Sequence, residues 1–119
     1  FNGDVSSWDV SSVSVMEGMF ASQSTFNQDL SAWDVSQVVD FEAMFEGASA
    51  FNGNISGWDV SSVRLSGGRA DMRNMFVGAS SFNQDLSGWC VTPAAPTGFD
   101  SGASSWTLPR PVWGTCPGG

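Results

Sequence analysis

A chain of 119 residues with 12 acidic and four basic residues, net charge −8, is short enough for one domain and lacks the basic patch that nucleic acid or an anionic membrane surface requires. There is no His, so the commonest general base and metal ligand is missing, and no apolar run approaches a membrane span, so direct insertion into a bilayer is not expected. The acidity favours solubility and basic or cationic partners.

The chain opens on Phe1, in FNGDVSSWDVSSV, and the pattern returns at Phe26 (FNQDLSAWDVSQV), Phe51 (FNGNISGWDVSSV) and Phe82 (FNQDLSGWCV), with spacings of 25, 25 and 31 residues. A fixed period in this range predicts a repeat array in which each coil buries its apolar face on the next. The start on a repeat residue without an initiator Met reads as a mature or cut-down piece of something longer. In the second copy Leu30, Trp33 and Val35 match the L-x-x-L-x-L core of a leucine-rich repeat with Trp for one Leu. That predicts a short strand with Trp33 and Val35 pointing in and Asp34 out, stacked with its counterparts into a parallel sheet of four strands. Val38, Phe41, Met44 and Phe45 then fall on one helical stripe, as do Val13, Met16, Met19 and Phe20. Ser11 and Ser36 are candidate N-caps, and Gly47 is placed to stop a helix.

The third copy departs from the rhythm. Eight residues, 64–71, stand where earlier copies have two, and Arg64, Arg69 and Arg73 gather there around Gly67-Gly68. This predicts a flexible loop, with Asp71 recapping a shortened helix that carries Met72, Met75 and Phe76. Arg suits bidentate carboxylate contacts and interface hot spots, so the loop is a candidate protein contact; the alternative is that these Arg residues pair with the protein's own acids, such as Asp40 or Glu42. In the fourth copy Cys90 replaces the Asp of WDV, and Pro93, Pro96 and Pro109 rule out a long helix. The predicted organisation is a four-coil solenoid over 1–91, with the insertion at 64–71, and a C-terminal cap over 92–119. Nothing comparable covers the Phe1 edge, so further repeats or copies are expected to stack there, or the edge is left open.

Four constellations could carry chemistry. Cys90 and Cys116 are expected to pair, because a Pro-rich tail has few other constraints; closing about 27 residues contributes roughly 3–4 kcal/mol and points to an oxidising, extracellular setting. A two-thiol metal site lacks its other ligands. Asp9, Asp34 and Asp59 form a ladder of like charges that Ser hydroxyls, backbone amides or a cation must offset, although one ladder offers too few oxygens for Ca²⁺. Asn2, Asn27, Asn52 and Asn83 form a second ladder, expected to satisfy turn backbone. Asn54-Ile55-Ser56 is a glycosylation sequon. Trp8, Trp33, Trp58 and Trp89 are expected in the core, the alternative being an exposed platform for sugars. No nucleophile–base set and no phosphate loop is present, and no cofactor is implied.

The pattern F-N-x-D-[LIV]-S-x-W-D-V-S-x-V, followed by Met-Phe and G-A-S-x-F-N, resembles the BspA-like bacterial-surface-protein repeats, a divergent branch of the leucine-rich repeats, from Phe1 to about Val91. The ending WCV…PVWGTCP is similar to that family's C-terminal closure. The resemblance implies a secreted or surface-exposed adhesion solenoid and transfers no catalytic residue. The expectation is therefore a leucine-rich-repeat-like α/β solenoid with a disulfide-closed cap. It would serve as a non-enzymatic binding or adhesion module, at a cell surface or outside the cell, for a protein or glycan partner. The alternative is a structural subunit docked in a larger surface or membrane-associated assembly.

Overall fold

Main-chain hydrogen bonds from each repeat to the next organise the molecule; the computed structural model describes residues 5–66, 69–91 and 96–116. The N–H groups of Met16, Gly18, Phe20 and Ser22 donate to the carbonyls of Asp40, Glu42, Met44 and Glu46 at 2.7–2.9 Å. Phe41, Ala43, Phe45 and Gly47 donate in the same way to Asp71, Arg73, Met75 and Val77. Asn74, Phe76 and Gly78 then donate to Thr97, Phe99 and Ser101. Along this stretch every bond points the same way, from a repeat to its successor.

The alternate N–H groups close tight turns within the repeat. Met19 donates to Met16 and Gln23 to Phe20, and the bonds of Met44 to Phe41 and Ala48 to Phe45 repeat the pair. The third residue of each turn is left-handed: φ is 62° at Gly18, 61° at Ser22, 56° at Ala43 and 73° at Gly47. Asn74 and Gly78 hold the same places at 57° and 70°. A helix needs φ near −60° throughout and N–H groups bonded four residues back. Two left-handed positions per repeat exclude it.

The α/β solenoid of leucine-rich-repeat type is therefore overturned. No helix occurs among the described residues, and the strands there are β1 (Leu65–Ser66) and β2 (Arg69–Ala70). Ser11, Ser36 and Asp71 cap no helix, and Gly47 ends none. The stripe of Val38, Phe41, Met44 and Phe45 is buried as expected, but turns closed by bonds between residues three apart, not helical ones, bring the side chains to one face. The parallel sheet at the Trp positions is also absent. There the main chain folds back on itself, as Trp33 N–H donates to Leu30, and the indole crosses to the neighbour instead. Trp33 Nε1 donates to the Val5 carbonyl at 3.0 Å, Trp58 to Leu30 at 3.0 Å and Trp89 to Ile55 at 3.1 Å. Each buried indole thus finds the partner its N–H requires.

The core is a set of aromatic columns. Phe26, Phe51 and Phe82 stack with centroids 5.8 and 5.7 Å apart, and Phe20, Phe45 and Phe76 with 5.8 and 5.6 Å. The two columns meet face to face, at 4.0 Å for Phe20–Phe26 and 4.2 Å for Phe45–Phe51. Trp33, Trp58 and Trp89 lie inside, whereas Trp8, expected in the core, is 47% exposed because no described repeat precedes it. The chain forms a compact globule with a radius of gyration of 13.0 Å, close to that of an ordinary domain of this size. The Asn27 amide accepts from Asn52 N–H at 2.8 Å, and the Asn52 amide accepts from Asn83 N–H at 2.7 Å. The Asn ladder thus serves turn backbone as expected; Asn2 lies outside the described residues.

Candidate interaction surface

The exposed acids come from a local rule: a carboxylate caps the turn that follows it. Asp9, Asp34 and Asp59 each accept the N–H of the Ser two residues on, at 3.0–3.1 Å. Each also accepts that Ser hydroxyl, at 2.5–2.6 Å. Asp29, Asn54 and Asp85 do the same with the N–H of Ser31, Ser56 and Ser87. Charge-assisted bonds of this kind favour the ionised form. The Ser11 and Ser36 hydroxyls, then their amides, hold Asp9 and Asp34 below the ordinary carboxylate value. Asp29 is lowered first by the Ser31 amide and Asp85 first by the Ser87 hydroxyl. The repulsion expected along the ladder is small beside these bonds: the Asp9 charge is the last of the influences on Asp34. Among the described residues no group of three or more acidic, His or Cys side chains is placed to hold a metal.

The insertion is a two-stranded excursion, narrower than its sequence suggests. Arg64 N–H reaches the Val39 carbonyl and Asp71 N–H reaches the Arg64 carbonyl, both at 3.0 Å, so both residues stay in the body of the repeat. Between them β1 and β2 pair antiparallel, with Leu65 opposite Ala70 and Ser66 opposite Arg69. Gly67, Gly68 and the side chain of Arg69 lie outside the described residues. Arg64 is taken up by the protein's own acids: Nε to Asp71 at 2.9 Å and Nη2 to Asp40 at 3.1 Å. Arg73 pairs with Glu42. These are the self-pairings weighed above as the alternative to a protein contact.

Asp40 and Asp71 are buried under a half-exposed Arg64, and Asp71 Oδ1 has no hydrogen-bond partner. Exposed Glu17 stands beside them, at the head of the neighbouring column of Glu42 and Arg73. Its carboxyl is pushed up, first by sharing a hydrogen bond with Glu42 and then by the Asp40 charge.

Cys90 and Cys116 are bonded to each other. The bond ties down a tail that also pairs with the fourth repeat through Val91 N–H to Thr115 and Leu86 N–H to Pro109. Arg110, which sequence reading left without a role, clamps this tail. It lies 4.7 Å from the Trp106 ring centre, and Nε meets Asp100 at 3.0 Å. Its signal was faint, a single Arg between two prolines.

The model of the family described as "Mycoplasma protein of unknown function, DUF285" matches residues 1–89. The chain belongs to this family. No curated protein and no solved structure matches the chain. The DUF285 match runs to the Trp of the fourth repeat and stops one residue before the cysteine that fastens the tail.

Proposed function

We propose that this DUF285 chain is a non-enzymatic binding module that works at a cell surface or outside the cell, and that its contact surface is the paired rows of capped acids. The observation that carries the reading is the repeated Asp–Ser turn. It presents Asp9, Asp34 and Asp59 in identical fixed settings on a stiff aromatic core, so a partner meets preorganised charge. A basic protein surface is the matching chemistry. The disulfide supports an oxidising location, as does the resemblance to BspA-like surface repeats. The buried indoles of Trp33, Trp58 and Trp89 turn the reading away from a sugar platform. Asn54 remains an exposed sequon whose Oδ1 is held by Ser56, open to a glycan in a host that attaches one.

The test uses an Arg-rich peptide as probe. The triple variant Asp9→Asn, Asp34→Asn, Asp59→Asn keeps an oxygen for each Ser. It should bind the peptide at least tenfold more weakly, and the wild-type affinity should fall with added salt. Equal affinity for both proteins rejects the acidic rows as the surface. Deleting 65–70 should leave that affinity unchanged; a loss would return the contact to the Arg-bearing excursion.

The second reading, a structural subunit of a larger assembly, is favoured by one specific observation: Val15 and Trp8 stand exposed at the first repeat, where their counterparts in later repeats are buried.

A further inference from the structure

Asn27, Asn52 and Asn83 hold matching places in the ladder, but their successors in the chain differ. Gln28 follows Asn27 and Gln84 follows Asn83, whereas Gly53 follows Asn52. A Cβ at position 53 would meet the Gln28 carbonyl oxygen at 2.6 Å and Cε1 of Phe51 at 2.7 Å, so the close approach of two repeats keeps a glycine there. An asparagine followed by glycine has a characteristic side reaction. The next main-chain nitrogen, unshielded by a side chain, attacks the asparagine Cγ.

The surroundings of Asn52 suit this attack. Its Oδ1 accepts the Asn83 N–H at 2.7 Å and Gln84 Nε2 at 3.1 Å. A main-chain N–H only donates, so the atom facing Asn83 is the amide oxygen and not the nitrogen. Two donors at this oxygen polarise the carbonyl and stabilise the oxyanion that forms as Cγ becomes tetrahedral. Asn27 Oδ1 has one donor among the described residues, the Asn52 N–H. The leaving nitrogen is not held: among the described residues Asn52 Nδ2 donates to no partner. The Gly53 N–H, the attacking group, donates to none there either. Asn52 is exposed, so water reaches the site.

We propose that Asn52 is a site of self-modification, converted within the folded protein from amide to carboxylate. The Gly53 nitrogen loses its proton to solvent and bonds to Cγ, the Cγ–Nδ2 bond breaks, and the side-chain nitrogen leaves as ammonia. Water then opens the cyclic imide. Cleavage between Cγ and the Gly53 nitrogen gives aspartate at position 52; cleavage between the main-chain carbonyl carbon and that nitrogen gives isoaspartate. The net change is amide and water to acid and ammonia, without oxidant or cofactor. The ladder selects the first product. An aspartate keeps an oxygen for the Asn83 N–H and for Gln84, and its charge strengthens both bonds. An isoaspartate puts an extra methylene into the main chain and shifts the N–H that reaches Asn27 Oδ1. The product adds one negative charge to a chain of net charge −8, two residues before Asn54, the uncharged member of the row of Asp29, Asn54 and Asp85.

Incubation of the folded 119-residue chain at mildly alkaline pH, followed by peptide mapping with mass detection, tests it. Asn52 should convert at least as fast as it does in a synthetic peptide of residues 49–56, while Asn27 and Asn83 stay amides. Aspartate should exceed isoaspartate in the protein, the reverse of the peptide. Gln84→Ala removes one of the two donors without touching Gly53, and should slow the conversion about two- to tenfold, as one lost hydrogen bond implies. An Asn52 that stays an amide while the peptide converts overturns the proposal. So does conversion of Asn27 at the same rate, because the glycine would then play no part. Isoaspartate in excess in the protein overturns it as well, since the ladder must then have opened before the ring formed. An unchanged rate in Gln84→Ala, at an unchanged urea midpoint, takes the donors out of the reaction and overturns it too.

Discussion

At the scale of single residues, position in the stack decides what a side chain is worth. Trp33 is buried, faces Trp58 at 6.5 Å and bonds the Val5 carbonyl. Trp33→Ala should destabilise by about 3–5 kcal/mol in urea unfolding, as large core truncations do. Trp8→Ala, in the same sequence position but half exposed, should cost less than half as much; equal losses would contradict the assigned order of the stack. The acids divide by sign. Asp9, Asp29, Asp34 and Asp85 have lowered folded values. Their contribution is complete above the ordinary carboxylate pKa of about 3.9 and is lost as pH falls through the folded values. Glu17 is raised, so its relative contribution is present below about 4.3 and is lost as pH rises through the folded value. Glu17→Gln should therefore raise the urea midpoint at pH 7 and leave it nearly unchanged at pH 3. No gain at pH 7 would remove Glu17 from the strained column.

At the scale of the element, the repeat is a series of turns that imitates a helix in its spacing. Met16, Met19 and Phe20 sit at intervals of three and four, and a turn closed every third or fourth residue puts the same side chains inside. The stripe of Val38, Phe41, Met44 and Phe45 was legible for this reason; Trp33 and Val35 in with Asp34 out were legible from the L-x-x-W-x-V alternation, and the bond between the two cysteines from the Pro-rich tail. The backbone between them was not, because its sign is carried by φ at Gly18, Ala43, Asn74 and Gly98, and Ala43 conceals the left-handed column. The Arg64 pairing was legible only as an alternative, since Asp40 lies 24 residues away and Asp71 is brought close by the excursion. Ala43 provides the test. In a helix Ala→Gly costs about 1 kcal/mol, whereas relief of a left-handed Ala is worth about 1–2 kcal/mol against a smaller entropic loss. Ala43→Gly should leave the protein equally stable or up to about 1 kcal/mol more stable; a loss of about 1 kcal/mol would restore the helix.

At the scale of the molecule, the stacking of successive repeats follows from one feature, the lateral direction of the N–H groups in each turn segment. That direction has no side-chain signature, so it was not visible in the sequence. It is also open to direct observation. Scalar couplings across hydrogen bonds, measured by NMR on labelled protein, connect each amide nitrogen to the carbonyl carbon that accepts it. The amides of Met16, Gly18, Phe20 and Ser22 should correlate with the carbonyls of Asp40, Glu42, Met44 and Glu46. Correlations of Phe20 and Ser22 with Met16 and Gly18, four residues back, would mean that the segment is a helix and that the account of the fold is wrong.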